Sequence, residues 1–183
     1  NSQKEIGSFL IYLSEFINKN KLKLVIIGKR PKIDDISLNE KFPNHLLDKY
    51  ISERKFYEKF LNSKHLYIPQ DNKILSSYKY SMQSEVTIGT TSTILRELLS
   101  ANKKILACNP FGEKKAKFPV KGICYLENFD FTKFEQRLNK ILSISNAEYF
   151  EQLDKDPNHL VKFDKNCLAN DIIIKEIKNS LNY

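Results

Sequence analysis

Five consecutive residues, Gly89, Thr90, Thr91, Ser92 and Thr93, carry the most chemistry in this sequence. They follow an apolar run, Val86 to Ile88, and lead into a helical stretch bearing Glu97. The first N–H groups of a helix have no intrahelical acceptor, and the aligned peptide dipoles place partial positive charge there. A strand–turn–helix corner rich in hydroxyls therefore binds anions, phosphate above all. Gly89 lets backbone approach a ligand closely, and Thr91 or Ser92 is the expected N-cap. A single cap uses one hydroxyl, and four are present. Glu97 stands four residues beyond Thr93, where an acidic side chain can meet ribose hydroxyls as in other nucleotide folds. The plainer alternatives are an ordinary Ser/Thr cap and a solvated surface glutamate.

Lys29 and Arg30 directly follow the apolar run Leu24 to Ile27 and its terminal Gly28. At the end of a parallel strand they would neutralise a diphosphate, Arg30 through its bidentate fork; otherwise they are solvated loop cations. Ser76, Ser77 and Tyr78 sit at the start of a short helix and either cap it or line the same crevice. Asn109 opens a loop reaching to Lys117 that contains Pro110 and Gly112. Asp34, Asp35 and Glu40 are available as general bases, though nothing in their spacing separates them from solvated loop acids. The sequence has no nucleophile elbow, Walker A motif, dinucleotide glycine fingerprint or HExxH. The catalytic residues are therefore unassigned, and the site reads as a binding crevice.

The elements that must hold these residues alternate. Helical periodicity covers residues 3–19, followed by a buried strand at 24–27 and a long charged loop over 29–42. A helix is expected from about Asn44 to Leu61, a strand at His65–Ile68 and a short helix over Ile74–Met82. Then come strand 85–88, helix 92–101, strand 104–108 and strand 123–126. The remainder reads as helical, at 130–143, 146–153 and 170–181. Strands separated by helices imply an α/β fold: a Rossmann-like parallel, twisted sheet with helices on both faces and a helical C-terminal extension. Residues 1–183 form one domain, of which 130–183 is mostly helical. Ligands of such sheets bind outside the carboxyl ends of the strands. The loops after Gly28, Ile88 and Cys108 leave those ends.

Composition narrows the class. The chain has 183 residues, of which 41% are hydrophobic and 28% charged, as in a soluble globular domain. No apolar stretch is long enough for a membrane span, and nothing at the start resembles a signal peptide. The first residue is Asn1 rather than Met, so a fragment is expected. Cys108, Cys124 and Cys167 make neither a disulfide framework nor a CxxC pair, and His45, His65 and His159 lack ligand spacing. Buried free thiols in a reducing cytoplasm, with no metal, follow. The net charge is +8. Its densest stretches are Lys19–Lys23 and Lys103–Lys104 with Lys114, Lys115 and Lys117. Neither is interleaved with the aromatics and glycines of an RNA-binding sheet, so nucleic acid is not an expected partner.

Residues 84–99 (SEVTIGTTSTILRELL), followed by Lys103-Lys-Ile-Leu, resemble the C-terminal, donor-binding half of GT-B glycosyltransferases, above all bacterial enzymes of surface-carbohydrate biosynthesis. In that family a strand ending in (I/V)G meets a Ser/Thr-rich turn and a Glu-bearing helix, and the next strand opens with a GKK(V/I)L-like stretch. Asn102 stands where glycine is usual, and asparagine also tolerates the left-handed conformation of a helix C-terminus. The resemblance spans most of residues 22–145, with segment 117–135 contributing less specifically. It implies that Thr90, Thr91, Ser92 and Thr93 hold donor phosphates, that Glu97 meets ribose or sugar, and that Lys29 and Arg30 assist. It also implies a nucleotide-sugar donor, no cofactor, and an acceptor held by a missing N-terminal half. The expected location is cytoplasmic, with the inner membrane surface as a candidate peripheral partner. Two other functions fit the residues less fully: a non-catalytic basic interaction domain, and a sugar-nucleotide epimerase of the same fold.

Overall fold

The computed structural model describes residues 2–28, 55–62, 64–68, 75–90 and 92–160. Helix α1 (Ser2–Asn20) opens the chain and β1 (Leu24–Ile27) follows. Helix α2 covers residues 55–60 and leads to β2 (His65–Ile68). Helix α3 (Ser76–Gln83), β3 (Thr87–Gly89), α4 (Ile94–Ser100) and β4 (Ile105–Asn109) come next. The described chain ends with β5 (Tyr125–Glu127), α5 (Phe131–Ser143), α6 (Asn146–Glu151) and a 3-10 turn at Pro157–His159. This is the α/β alternation the periodicity predicts. The predicted helix at 170–181 lies outside the described residues, as do the loop acids Asp34, Asp35 and Glu40.

Among the described residues all strand pairs are parallel, but they form two sheets, β1-β2 and β3-β4-β5, where one continuous sheet is expected. Each sheet gathers its own core. Leu10, Ile26 and Leu61 surround the smaller sheet. The larger core joins Leu95, Leu98 and Leu99 of α4 to β4 and to Phe134, Leu138 and Ile141 of α5. Helix α1 serves both, because Leu10 faces the small core while Phe9, Leu13, Phe16 and Ile17 face the large one. Helix α3 touches both β1 and α4, bridging where the ladder is broken.

Strand β4 is buried along its whole length, so its residues form an unbroken apolar run up to Asn109 rather than alternating. Each fully buried Leu, Ile or Phe contributes about 1.5–3 kcal/mol. Local chemistry sets the helix ends. Asp130 caps α5 by accepting from Lys133 N at 2.9 Å, and Ser145 with Glu148 forms a capping box on α6. Those bonds hold the Glu148 carboxyl below its ordinary value. Helix α4 closes in a Schellman motif: Asn102 takes φ 58°, its N–H meets Leu99 O at 3.1 Å, and Lys103 N meets Leu98 O at 2.9 Å.

The lysines after that turn are consumed structurally. Lys103 Nζ donates to Met82 O at 2.9 Å, closing the end of α3. Lys104, only 5% exposed, donates to Ile141 O at 3.1 Å and Ile144 O at 2.6 Å, and reaches Glu85 at 3.3 Å. An ammonium at the C-terminal carbonyls of α5 complements the helix dipole. Lys19 pairs with Glu135 at 2.6 Å, tying α1 to α5. Among the described residues no helix is long and apolar enough to cross a membrane.

Candidate functional site

The register Gly89↔Ala107 and Asn109↔Glu127 makes the turns after β3, β4 and β5 leave one edge of the larger sheet. That edge is the carboxyl edge at which ligands of parallel sheets bind. Along the turn after β3, Gly89 and Thr90 are half-buried while Ser92 and Thr93 are exposed. A Cβ on Gly89 would lie 3.2 Å from Leu95 Cδ1, so this strand end rests against the first buried residue of α4.

The N-cap position of α4 is Thr93, not Thr91 or Ser92 as expected. Thr93 has helical backbone angles, φ −62° and ψ −30°, and its side chain makes no capping bond. An N-cap hydroxyl reaches back to the helix only from extended backbone. No side chain caps the helix start, where Leu95 N meets Ser92 O at 3.3 Å and Arg96 N meets Thr93 O at 3.0 Å, and Ser92 and Thr93 are exposed residues. Lys29, Arg30 and Thr91 lie outside the described residues.

Glu97, in the first turn of α4, accepts a hydrogen bond from Tyr78 Oη of α3. Two residues that the sequence treats separately are thus brought together. Tyr78 is 41% exposed, and the bond to Glu97, partial burial and the carboxylate charge all raise its hydroxyl above its ordinary value. The other two candidates of that segment behave differently. Ser76 is fully buried at the start of α3, so it does not line an open crevice, and Ser77 is half-buried. Neither occupies the N-cap, which is Leu75 at a left-handed φ of 47°. Of the three, Tyr78 is the exposed one and the one bonded to Glu97.

Asn109 is a second correction. Its side chain is 1% exposed and fully committed: Oδ1 accepts from Glu113 N at 2.9 Å, and Nδ2 donates to Glu113 O at 3.0 Å and Tyr125 Oη at 3.1 Å. Its carbonyl accepts from Gly112 N at 3.2 Å and Asn128 N at 3.1 Å. An amide at a strand end that closes the following turn has no donor left for a ligand. Tyr125 then donates to Glu127 at 2.7 Å, and burial foremost raises its hydroxyl above the ordinary value. This Asn109–Tyr125–Glu127 chain was not anticipated. Its one sequence signal is the spacing of Tyr125 and Glu127, which places both on one face of β5.

A cavity of about 470 Å³ lies at the opposite end of β4, lined by Asn102, Phe150, Leu153, Asp154, Pro157 and Asn158. Asp154 there already accepts from Lys121 N at 2.6 Å. That cavity is thus remote from the hydroxyl-rich turn, which is an open surface corner. Cys108 and Cys124 are buried free thiols, as expected, and burial pushes both upward, Cys124 to about 12. Cys167 lies outside the described residues. Among the described residues no group of three or more His, Cys, Asp or Glu side chains is placed to hold a metal. Comparison with protein-family models, curated proteins and solved structures found no match.

Proposed function

We propose that this chain is the donor-binding domain of a GT-B-type glycosyltransferase, taking a nucleotide-activated sugar at the carboxyl edge of the β3-β4-β5 sheet. One observation carries the reading: the exposed Ser92 and Thr93 stand at a helix start that no side chain caps, with Glu97 one turn on, held by Tyr78. The hydroxyls suit a phosphoryl oxygen, and the carboxylate suits ribose or sugar hydroxyls. Such a site serves transfer by stabilising the departing phosphate, a task of preorganised donors rather than of a protein nucleophile. On this reading Lys29, Arg30 and Thr91 complete the phosphate cradle. A second α/β half supplies the acceptor and the catalytic base, in bacterial surface-polysaccharide synthesis on the cytoplasmic side of the inner membrane.

The test is titration of the 183-residue chain with UDP, GDP, CDP and CMP, followed by calorimetry and thermal shift. One of the four is expected to bind and raise Tm. Ser92→Ala with Thr93→Ala should weaken that binding by about 1–3 kcal/mol, the usual worth of hydrogen bonds to a charged group. Absence of stabilisation by every nucleotide at millimolar concentration defeats the reading.

A further inference from the structure

The loop between Asn109 and Phe118 has a feature that nucleotide binding does not use. Both its ends are clamped: Asn109 at the first, through the five bonds given above, and Phe118, 9% exposed, at the second. Gly112 takes φ +64°, and a Cβ there would stand 2.5 Å from Asn128 Oδ1, so any other residue strains the turn or displaces the Asn128 side chain. This fixed turn displays Phe111, which is 45% exposed, and then a 3-10 turn, Lys114–Ala116. Lys114, Lys115 and Lys117 are exposed, and none pairs with a carboxylate among the described residues. Lys103 and Lys104, which belong to the same basic stretch in the sequence, are instead tied to helix carbonyls.

We infer that this loop docks on an anionic lipid surface, with Phe111 in the interfacial layer and Lys114, Lys115 and Lys117 against the headgroups. An aromatic ring is favourable at the boundary between headgroups and acyl chains, and each neighbouring lysine gains from the negative surface potential. A rigid turn presents the ring without an ordering cost at the moment of contact. Single-stranded nucleic acid fits less well, because such sites pair a basic groove with successive aromatic platforms, and this loop exposes one ring. Three lysines and one ring are a modest anchor, so attachment is reversible and strongly salt-dependent. Because the loop leaves the same edge as the Gly89–Thr93 turn, docking brings that edge to the bilayer.

The chain has no tryptophan, so Phe111→Trp installs a sole reporter. With phosphatidylglycerol-containing vesicles its emission should shift to the blue, and with pure phosphatidylcholine it should not. Co-sedimentation of the otherwise native chain should fall about tenfold when Lys114, Lys115 and Lys117 are changed to Glu, and similarly between about 0.1 M and 0.5 M salt. Phe111→Ser should weaken it further than any single lysine change. The control of equal charge, Lys133→Glu with Lys140→Glu and Lys155→Glu, should leave most binding intact. Three results overturn the inference: no emission shift, equal loss in the control, or binding of poly(U) without binding of vesicles. Circular dichroism on each variant separates lost docking from lost folding.

Discussion

Two turns leave the same edge of the larger sheet, side by side, and they differ in how their hydrogen-bonding capacity is used. After β4, Asn109 directs every polar atom of its side chain into the turn and the neighbouring strand. After β3, the hydroxyl at the N-cap position makes no bond to the helix, and Ser92 and Thr93 are exposed. The first turn is saturated and therefore structural. The second keeps donors and acceptors in reserve, which a ligand-binding corner requires. A polar residue at a strand's carboxyl end is thus no guide to function until its partners are known.

The largest effect should come from breaking the saturated turn. Asn109→Leu leaves Glu113 N–H, Glu113 O and Tyr125 Oη without their partner, and is expected to cost about 2–4 kcal/mol in urea unfolding. The matched change in the open turn, Ser92→Ala with Thr93→Ala, should cost under about 0.5 kcal/mol of stability, because neither hydroxyl is buried or caps the helix. Equal losses from the two variants would erase the distinction.

Alkaline pH sharpens the contrast, since Tyr125 titrates within the closed turn. Its hydroxyl is raised above its ordinary value, so the folded state holds that proton more tightly than the unfolded chain. The resulting stability is complete below about pH 10 and is lost as pH rises through the higher folded value. Cys124, pushed up to about 12, adds a loss in the same direction between its ordinary value and that one. Tyr125→Phe should therefore flatten, without abolishing, the fall in urea midpoint between pH 9 and 11.

The smallest expected effect is Tyr78→Phe. Removing an exposed hydroxyl should change stability by under about 0.5 kcal/mol. If Glu97 meets the ribose, however, the variant should discriminate less between the bound nucleotide and its 2′-deoxy form, as calorimetry would show. Unchanged discrimination would reduce the Tyr78–Glu97 bond to surface decoration.

Local pattern was a good guide to the elements and a poor one to which polar residues are spoken for. Residues 24–27 and 65–68 are strands where β-branched and apolar runs place them, and Asn102 adopts the left-handed conformation foreseen for it at the helix C-terminus. The N-cap of α4 was misplaced because Ser and Thr are equally competent caps, and backbone angles alone choose among neighbours. Lys103 and Lys104 looked like part of a basic surface patch. Their acceptors, Met82 O, Ile141 O and Ile144 O, lie 21, 37 and 40 residues away in the chain.

By itself the sequence determined the α/β alternation, the parallel strands and a hydroxyl-rich turn at a strand's end, since these follow from periodicity and short-range chemistry. Only the tertiary structure decided that the strands divide into two sheets, that Ser76 and Asn109 are interior, and that Tyr78 meets Glu97. Each of those outcomes is a competition for partners distant in sequence, and burial, which sets the cost of losing it, exists only once the chain has packed.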